Sequence, residues 1–303
     1  MKVGIVGAGY VGATAGYALV TGNIASELVF VDKDTARAEG EAMDVSHATP
    51  YTNPVKVRAG DYAALDGASL VIIAAGANQK PGETRLDLAS KNAAIFREIV
   101  PRITHYAPNA ILLVATNPVD VLTHVAYKAS GLDASHVIGS GTTLDTARLR
   151  ALVAARAHVS PKHVHGYVLG EHGDSELVAW SALDIGGLPV PTYFEARGFT
   201  WNRDIEHEVQ RNVQRAAYEI INRKGATYYG VASALASISQ AVLQNQGSVL
   251  TVSMSDGEVA YSLPRIVGRD GVLATLTVSL NDDEQHALDD SIAVIRSATE
   301  QVS

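Results

Sequence analysis

Three glycines and one acid form the first pattern in this 303-residue chain that could do chemistry. Gly7, Gly9 and Gly12 stand in Gly-x-Gly-x-x-Gly spacing directly after the apolar run Lys2–Val6, and Asp32 closes the next apolar run, Leu28–Val31. Gly7 permits a tight turn out of a strand, Gly9 lets a pyrophosphate approach the backbone, and Gly12 lets the following helix pack close to a sheet. A phosphate would then sit at a helix N-terminus, where unpaired N–H groups and the helix dipole attract anions. Twenty residues beyond Gly12, the Asp32 carboxylate can accept hydrogen bonds from both ribose hydroxyls and repel a 2′-phosphate, which favours NAD over NADP. A purely structural strand-to-helix turn would account for Gly7 but not for Asp32.

Other chemically capable residues sit where strands end. The run Leu70–Ala74 empties into Gly76, Ala77, Asn78, Gln79, Lys80, Pro81, Gly82, Glu83, Thr84 and Arg85, which reads either as a lid that excludes water and delivers a charge or as a solvated surface loop. Asn117 follows the run Ile111–Ala115 and precedes Pro118. Asp145 and Arg148 are i, i+3 neighbours on a helical stretch, an arrangement that is usually a surface ion pair of little value. His172, in Gly170-Glu171-His172-Gly173-Asp174, is the one histidine of ten set between acids and glycines, and is either structural or an acid/base. Thr227 stands at a helix start, where N-capping is its simplest role. Arg37 and Tyr62 fall where an adenine pocket would be lined, or are an exposed helix arginine and a loop tyrosine.

The elements that must position these residues alternate. Strand patterns at Lys2–Val6, Leu28–Val31, Val55–Ala59, Leu70–Ala74 and Ile111–Ala115 are separated by helical stretches, which predicts a parallel sheet with helices on both faces, complete near residue 140. Thereafter the spacing predicts a helix over Thr142–Ala157, a strand over Val164–Leu169, helices over Asp204–Asn222 and Tyr228–Gln244, and strands at Val249–Met254, Val259–Val267 and Val272–Leu280. A final helix covers Asp282–Gln301.

Composition narrows the class. At 47% hydrophobic the chain can fill one large core or two smaller ones. A formal charge of −8 without a basic run argues against nucleic acid or an anionic membrane surface as partner. With no cysteine, disulfides, thiolate metal sites and cysteine nucleophiles are excluded, and no metal site is expected. His207 and Glu208 begin an apparent HExxH that fails at Arg211. No apolar run approaches spanning length, and Met1 directly precedes the first strand, so a cytoplasmic protein is expected.

Five motifs in order, GAGYVG, GANQKPGETR, ATNPVD, GTTLDTARLR and GEHGDS, span nearly the whole chain and resemble the lactate/malate dehydrogenase family, in particular its bacterial L-lactate dehydrogenases regulated by fructose 1,6-bisphosphate. The resemblance implies an α/β fold, with an N-terminal Rossmann doubly wound parallel sheet over residues 1–140 binding NAD and a C-terminal α+β catalytic domain over residues 141–303. It also implies roles. His172 would be the acid/base, Asp145 its orienting carboxylate, Arg148 the guanidinium that grips the substrate carboxylate, and Arg85 the lid residue that polarises the carbonyl. Asn117 would hydrogen-bond the substrate oxygen and Thr227 would bound the pocket. NAD contacts would come from Gly7, Gly9, Val11, Gly12, Asp32, Arg37, Tyr62, Gly76, Ala77, Ala115, Thr116, Asn117 and Ser140. Gln79, where dicarboxylate-using relatives carry arginine, would select pyruvate and lactate over oxaloacetate and malate. Arg150 and His165 match the effector positions, implying fructose 1,6-bisphosphate between subunits of a homotetramer. Malate dehydrogenase is the nearest alternative. A short-chain dehydrogenase is excluded, since no lysine has a tyrosine four residues before it.

Overall fold

The structure, a computed structural model, describes residues 1–77 and 84–302, with Arg85 described by its backbone alone. It begins with β1 (Lys2–Val6), α1 (Tyr10–Thr21), β2 (Glu27–Val31), α2 (Thr35–Ser46), β3 (Lys56–Ala59) and β4 (Ala68–Ile73). Then come α3 (Arg85–Tyr106), β5 (Ile111–Val114), α4 (Val119–Ser130) and β6 (Val137–Gly139). Among the described residues these strands run parallel in the order β3-β2-β1-β4-β5-β6, with Val3 facing Leu28 on one side and Leu70 on the other. Strands covered on both faces must be apolar on both, which is why Leu28–Val31 and Leu70–Ile73 read as unbroken apolar runs.

The same sheet continues past β6. β12 (Ser248–Ser255), β13 (Ala260–Gly268) and β14 (Gly271–Thr275) add three antiparallel strands, and β12 joins β6 through Ser253 opposite Gly139. Between β6 and β12 the chain forms α5 (Thr143–Ala157), β7 (Val164–His165), β8 (Val168–Leu169), β9 (Leu177–Val178), β10 (Asp184–Ile185), β11 (Leu188–Pro189), α6 (Val190–Ala196), α7 (Arg203–Lys224) and α8 (Tyr229–Leu243). α9 (Asp282–Glu300) follows the sheet and starts on a capping box between Asn281 and Glu284.

One face of the sheet buries Ile5, Phe30, Ile72 and Leu113 with Leu19 of α1 and Leu235 and Ile238 of α8. The other buries Val31, Val71, Ile73 and Val114 with Phe96 of α3, Leu122 of α4 and Ile295 of α9. A third cluster, Leu149, Val153, Val164, Val168, Phe194, Val209 and Val213, holds α5 against α6, α7 and the short strands. Each buried Leu, Ile or Phe contributes about 1.5–3 kcal/mol, so these clusters fix where α5 presents its polar face.

Three details differ from the periodicity. Val164–Leu169 is two strands, because β7 pairs with β10 while β8 pairs with β9, and Gly166 between them lies tight against Leu183, 2.2 Å from a Cβ position there. β14 stops at Thr275, after which the Leu276 N–H bonds back to the Pro264 carbonyl. Thr227 does not cap α8, whose N-cap is Tyr228 without a side-chain bond. No described helix is long and apolar enough to cross a membrane.

Candidate active site

The glycine turn is shaped by close approach. Gly7 adopts φ +104, and a Cβ there would lie 2.3 Å from the Ala75 nitrogen, so the turn after β1 presses on the chain leaving β4. A Cβ on Gly12 would lie 1.9 Å from the Gly7 carbonyl oxygen, whereas one on Gly9 would meet nothing within 4 Å. The turn is therefore closed on the sheet side and open at Gly9, the N-cap of α1, where a phosphate needs room. Asp32 is tied to this turn, its Oδ2 accepting from the Ala8 N–H at 2.6 Å and its Oδ1 from the Asp34 N–H at 3.0 Å. These residues fit a dinucleotide without a 2′-phosphate. Tyr62 is half-buried with the Arg102 guanidinium 4.0 Å above its ring, and the Asp32 charge reaches it. Arg37 is exposed in the first turn of α2, with its backbone N–H donating to Asp34.

The loops after β4 and β5 are locked together at the same sheet edge. Asn92 of α3 is 1% exposed; its Oδ1 accepts from the Ala77 N–H at 2.8 Å and its Nδ2 donates to the Asn117 carbonyl at 2.9 Å. Thr116 donates to the Ala75 carbonyl at 2.8 Å, and a Cβ on Gly76 would lie 2.5 Å from the Thr116 methyl. Ala115 and Ser140 continue the same edge through N–H bonds to Ile73 and Val114. Thus Gly76, Ala77, Ala115, Thr116, Asn117 and Ser140 converge beside the glycine turn, with Val11 in the first turn of α1. Asn92 had no signal in sequence beyond its place on a helix.

The titratable cluster lies in the second half. Asp145 projects from the first turn of α5 and is 1% exposed, not a surface pair. Its Oδ1 accepts from Arg148 Nη1 at 2.5 Å, and its Oδ2 meets His172 Nδ1 at 2.6 Å. His172, with a side chain 24% exposed, sits on the turn after β8, and its backbone N–H donates to Asp120 of α4 at 2.7 Å. Burial alone would lower the His172 pKa, but the Asp145 charge and hydrogen bond, aided by Glu176 and Asp120, push it up to about 9. Burial likewise favours neutral Asp145, yet His172 and Arg148 hold its pKa below the usual carboxylate range. These contacts favour the protonated imidazole, with Nδ1 committed to Asp145. Asp120 is buried and pushed up to about 6 by desolvation. Asp120 closes the ATNPVD motif but was given no role there, and Glu176 lies just beyond GEHGDS, four residues after His172.

Thr227 lies half-buried in the link between α7 and α8, and the next residue, Tyr228, stacks on Tyr10 of the glycine turn with ring centroids 5.4 Å apart. Arg150 donates from Nε and Nη2 to the Gly166 carbonyl at 3.3 and 3.2 Å, next to exposed His165 on β7. Gln79 and the Arg85 side chain lie outside the described residues; the Arg85 backbone opens α3 behind the Thr84 cap.

Comparison with known proteins places this architecture. The lactate/malate dehydrogenase NAD binding domain matches residues 1–139, and the alpha/beta C-terminal domain of the same family matches residues 142–303. The chain belongs to the lactate/malate dehydrogenase family. It is 50% identical to an L-lactate dehydrogenase of Chloroherpeton thalassium over the full length of both, and 51% identical to one of Deinococcus radiodurans over 100% of this chain and 99% of that one. A lactate dehydrogenase from a Medee basin deep-sea metagenome superposes with a TM-score of 0.96 at 42% identity, covering 99% of this chain and 98% of that one. A minor L-lactate dehydrogenase of Enterococcus mundtii, in a ligand-bound form, gives 0.96 at 41%, covering 100% and 98%. As a member of this family the chain is an NAD-dependent oxidoreductase, with the Rossmann sheet as its cofactor-binding half.

Proposed function

We propose that the chain is an L-lactate dehydrogenase, interconverting pyruvate and (S)-lactate in fermentative glycolysis, with residues 1–140 binding NAD and residues 141–303 carrying the acid/base. The observation that carries this reading is the Arg148–Asp145–His172 chain of contacts at 2.5 and 2.6 Å, centred on the buried Asp145. Bound NADH supplies the hydride that reduces the carbonyl carbon. His172, protonated and fixed through Nδ1, gives the Nε2 proton to the carbonyl oxygen, and takes it back in the reverse direction. Asp145 stabilises the imidazolium and bonds Arg148, whose remaining N–H groups grip the substrate carboxylate in a planar fork that lysine cannot supply. Arg85 polarises the carbonyl, Asn117 hydrogen-bonds its oxygen, and Thr227 bounds the pocket beside the methyl group.

Gln79 selects the substrate. A neutral amide leaves the second carboxylate of oxaloacetate unpaired in a closed site, and an unpaired buried charge costs several kcal/mol, of order a thousandfold in discrimination. The names of the relatives support the same choice. Arg150 and His165, on adjoining elements, would hold fructose 1,6-bisphosphate across a subunit interface of a cytoplasmic homotetramer, shifting activity by a coupling of about 1–3 kcal/mol. NADH oxidation with pyruvate and with oxaloacetate, each with and without the bisphosphate, tests all three points. Pyruvate preferred and activated supports the whole reading; no bisphosphate effect removes the Arg150/His165 site; oxaloacetate preferred overturns the role of Gln79. Gln79→Arg is expected to move preference towards oxaloacetate, and His172→Ala to lose most turnover while still binding NADH.

A further inference from the structure

Glu176 is a buried acid beside His172 that makes no contact used by the steps above. Glu176 begins just before β9, four residues after His172, and is 5% exposed. Its Oε1 is buried with no hydrogen-bond partner among the described residues. One donor atom each from Asp145, His172 and Glu176 lie within 4.8 Å of one another. A carboxyl group kept out of water without a partner for its oxygen costs stability, so a structural purpose would be better served by an apolar side chain.

We propose that Glu176 is a positioning residue, a second carboxyl behind the acid/base histidine that acts with Asp145 to set the proton affinity of His172. This rests on the acid/base role assigned to His172 above. The groups facing Glu176 are Asp145 and Arg148 from α5 and His172 and Glu171 from its own turn, while Asp120 from α4 faces His172. From α7 only the neutral Gln214 amide is seen to bond it, at the Glu176 backbone carbonyl. Desolvation and the Asp145 charge, opposed by His172 and Arg148, push the Glu176 carboxyl up to about 9, into the range where His172 releases its own proton. Two such close groups titrate as a pair. Near neutrality Glu176 is uncharged, so it does not repel an anionic substrate. As pH rises it ionises and its charge keeps the imidazole protonated, extending the range over which a 2-oxo acid can be reduced.

The test is the pH profile of kcat/KM for pyruvate reduction in Glu176→Gln, whose amide copies the shape of the uncharged acid. The alkaline limb is expected to move down by about one pH unit, while NADH affinity and turnover on the acid side stay within about twofold. Glu176→Asp, which keeps a carboxyl, should restore part of the displacement. A limb that stays in place or moves up overturns the proposal, as does a uniform loss at every pH, which is what a merely structural residue would give. In the unaltered protein, the His172 ring resonances followed by NMR should titrate in two steps; a single-site curve also overturns it. If His172→Ala keeps its turnover, the acid/base reading itself fails. If His172→Ala is inactive but the Glu176→Gln limb is unmoved, only the role of Glu176 fails.

Discussion

As the proposed acid/base, His172 would set the pH dependence of the reaction. Reduction of the oxo acid needs the imidazolium, so that direction should decline as pH rises through about 9, while oxidation of the hydroxy acid, which needs the neutral ring, should rise through the same range. Steady-state profiles in both directions check this, and parallel profiles would contradict it. The same shift is a statement about folding. The folded His172 pKa is raised above its unfolded value near 6.5, so its contribution, about 3 kcal/mol at most, is complete below pH 6.5 and lost as pH rises to about 9. Glu176, also raised, adds loss of the same sign, beginning at its lower unfolded value. Calorimetry should therefore show the melting temperature falling between about pH 6.5 and 9, and falling less in Glu176→Gln.

At the scale of elements, the site depends on loops that are tied to one another rather than to their own strands. α3 delivers Asn92 between the loops after β4 and β5, giving one hydrogen bond to each. Asn92→Ala leaves the Ala77 N–H and the Asn117 carbonyl without that partner, at about 1–2 kcal/mol for each part-buried bond. Denaturant titration should show a loss of about 2–4 kcal/mol, and fluorescence titration should show NADH binding weakened about tenfold. Normal NADH binding in a destabilised variant would mean that Asn92 supports the fold without shaping the cofactor site. α4 ties the second half of the site to the first, since Asp120 reaches the His172 backbone from the helix that follows Asn117. Glycine at a helix end is a cap signal readable in sequence, as at Gly225, which closes α7 in the left-handed conformation. Thr227 is not a cap, because the chain turns into α8 one residue later than its side chain would require.

At the scale of the molecule, one sheet runs from β3 to β14 and joins the nucleotide-binding strands to the C-terminal ones. The joint is narrow. Gly139 of β6 faces Ser253 of β12, and a Cβ on Gly139 would lie 2.3 Å from Thr123 Oγ1 and 2.9 Å from Ser253 Cβ. Gly139→Val should wedge this joint apart, lowering the melting temperature by at least about 4 °C and splitting a single calorimetric transition into two. One unsplit transition at the original temperature would show that the strands adjust around the added methyl groups.

The alternation of strand and helix, the glycine turn and Asp32 were determined by the sequence alone, because a parallel strand buried on both faces and a phosphate-sized turn each demand particular residue types over a short span. The five motifs likewise nominated Asp145, Arg148 and His172, which the fold brings together. Only tertiary structure decided which of them meet. Asp145 and Arg148 look like a surface pair until the packing around α5 buries Asp145 and brings His172 to 2.6 Å from it. Asn92 and Glu176 carry no local signal, and Asp120, though it closes the ATNPVD motif, gives no sign of its partner; Asn92 and Asp120 act on groups fifteen or more residues away, and Glu176 within a cluster that exists only after β8 and α5 have packed. Hydrophobic period reports which face of an element is buried; it does not report which polar groups that burial brings face to face.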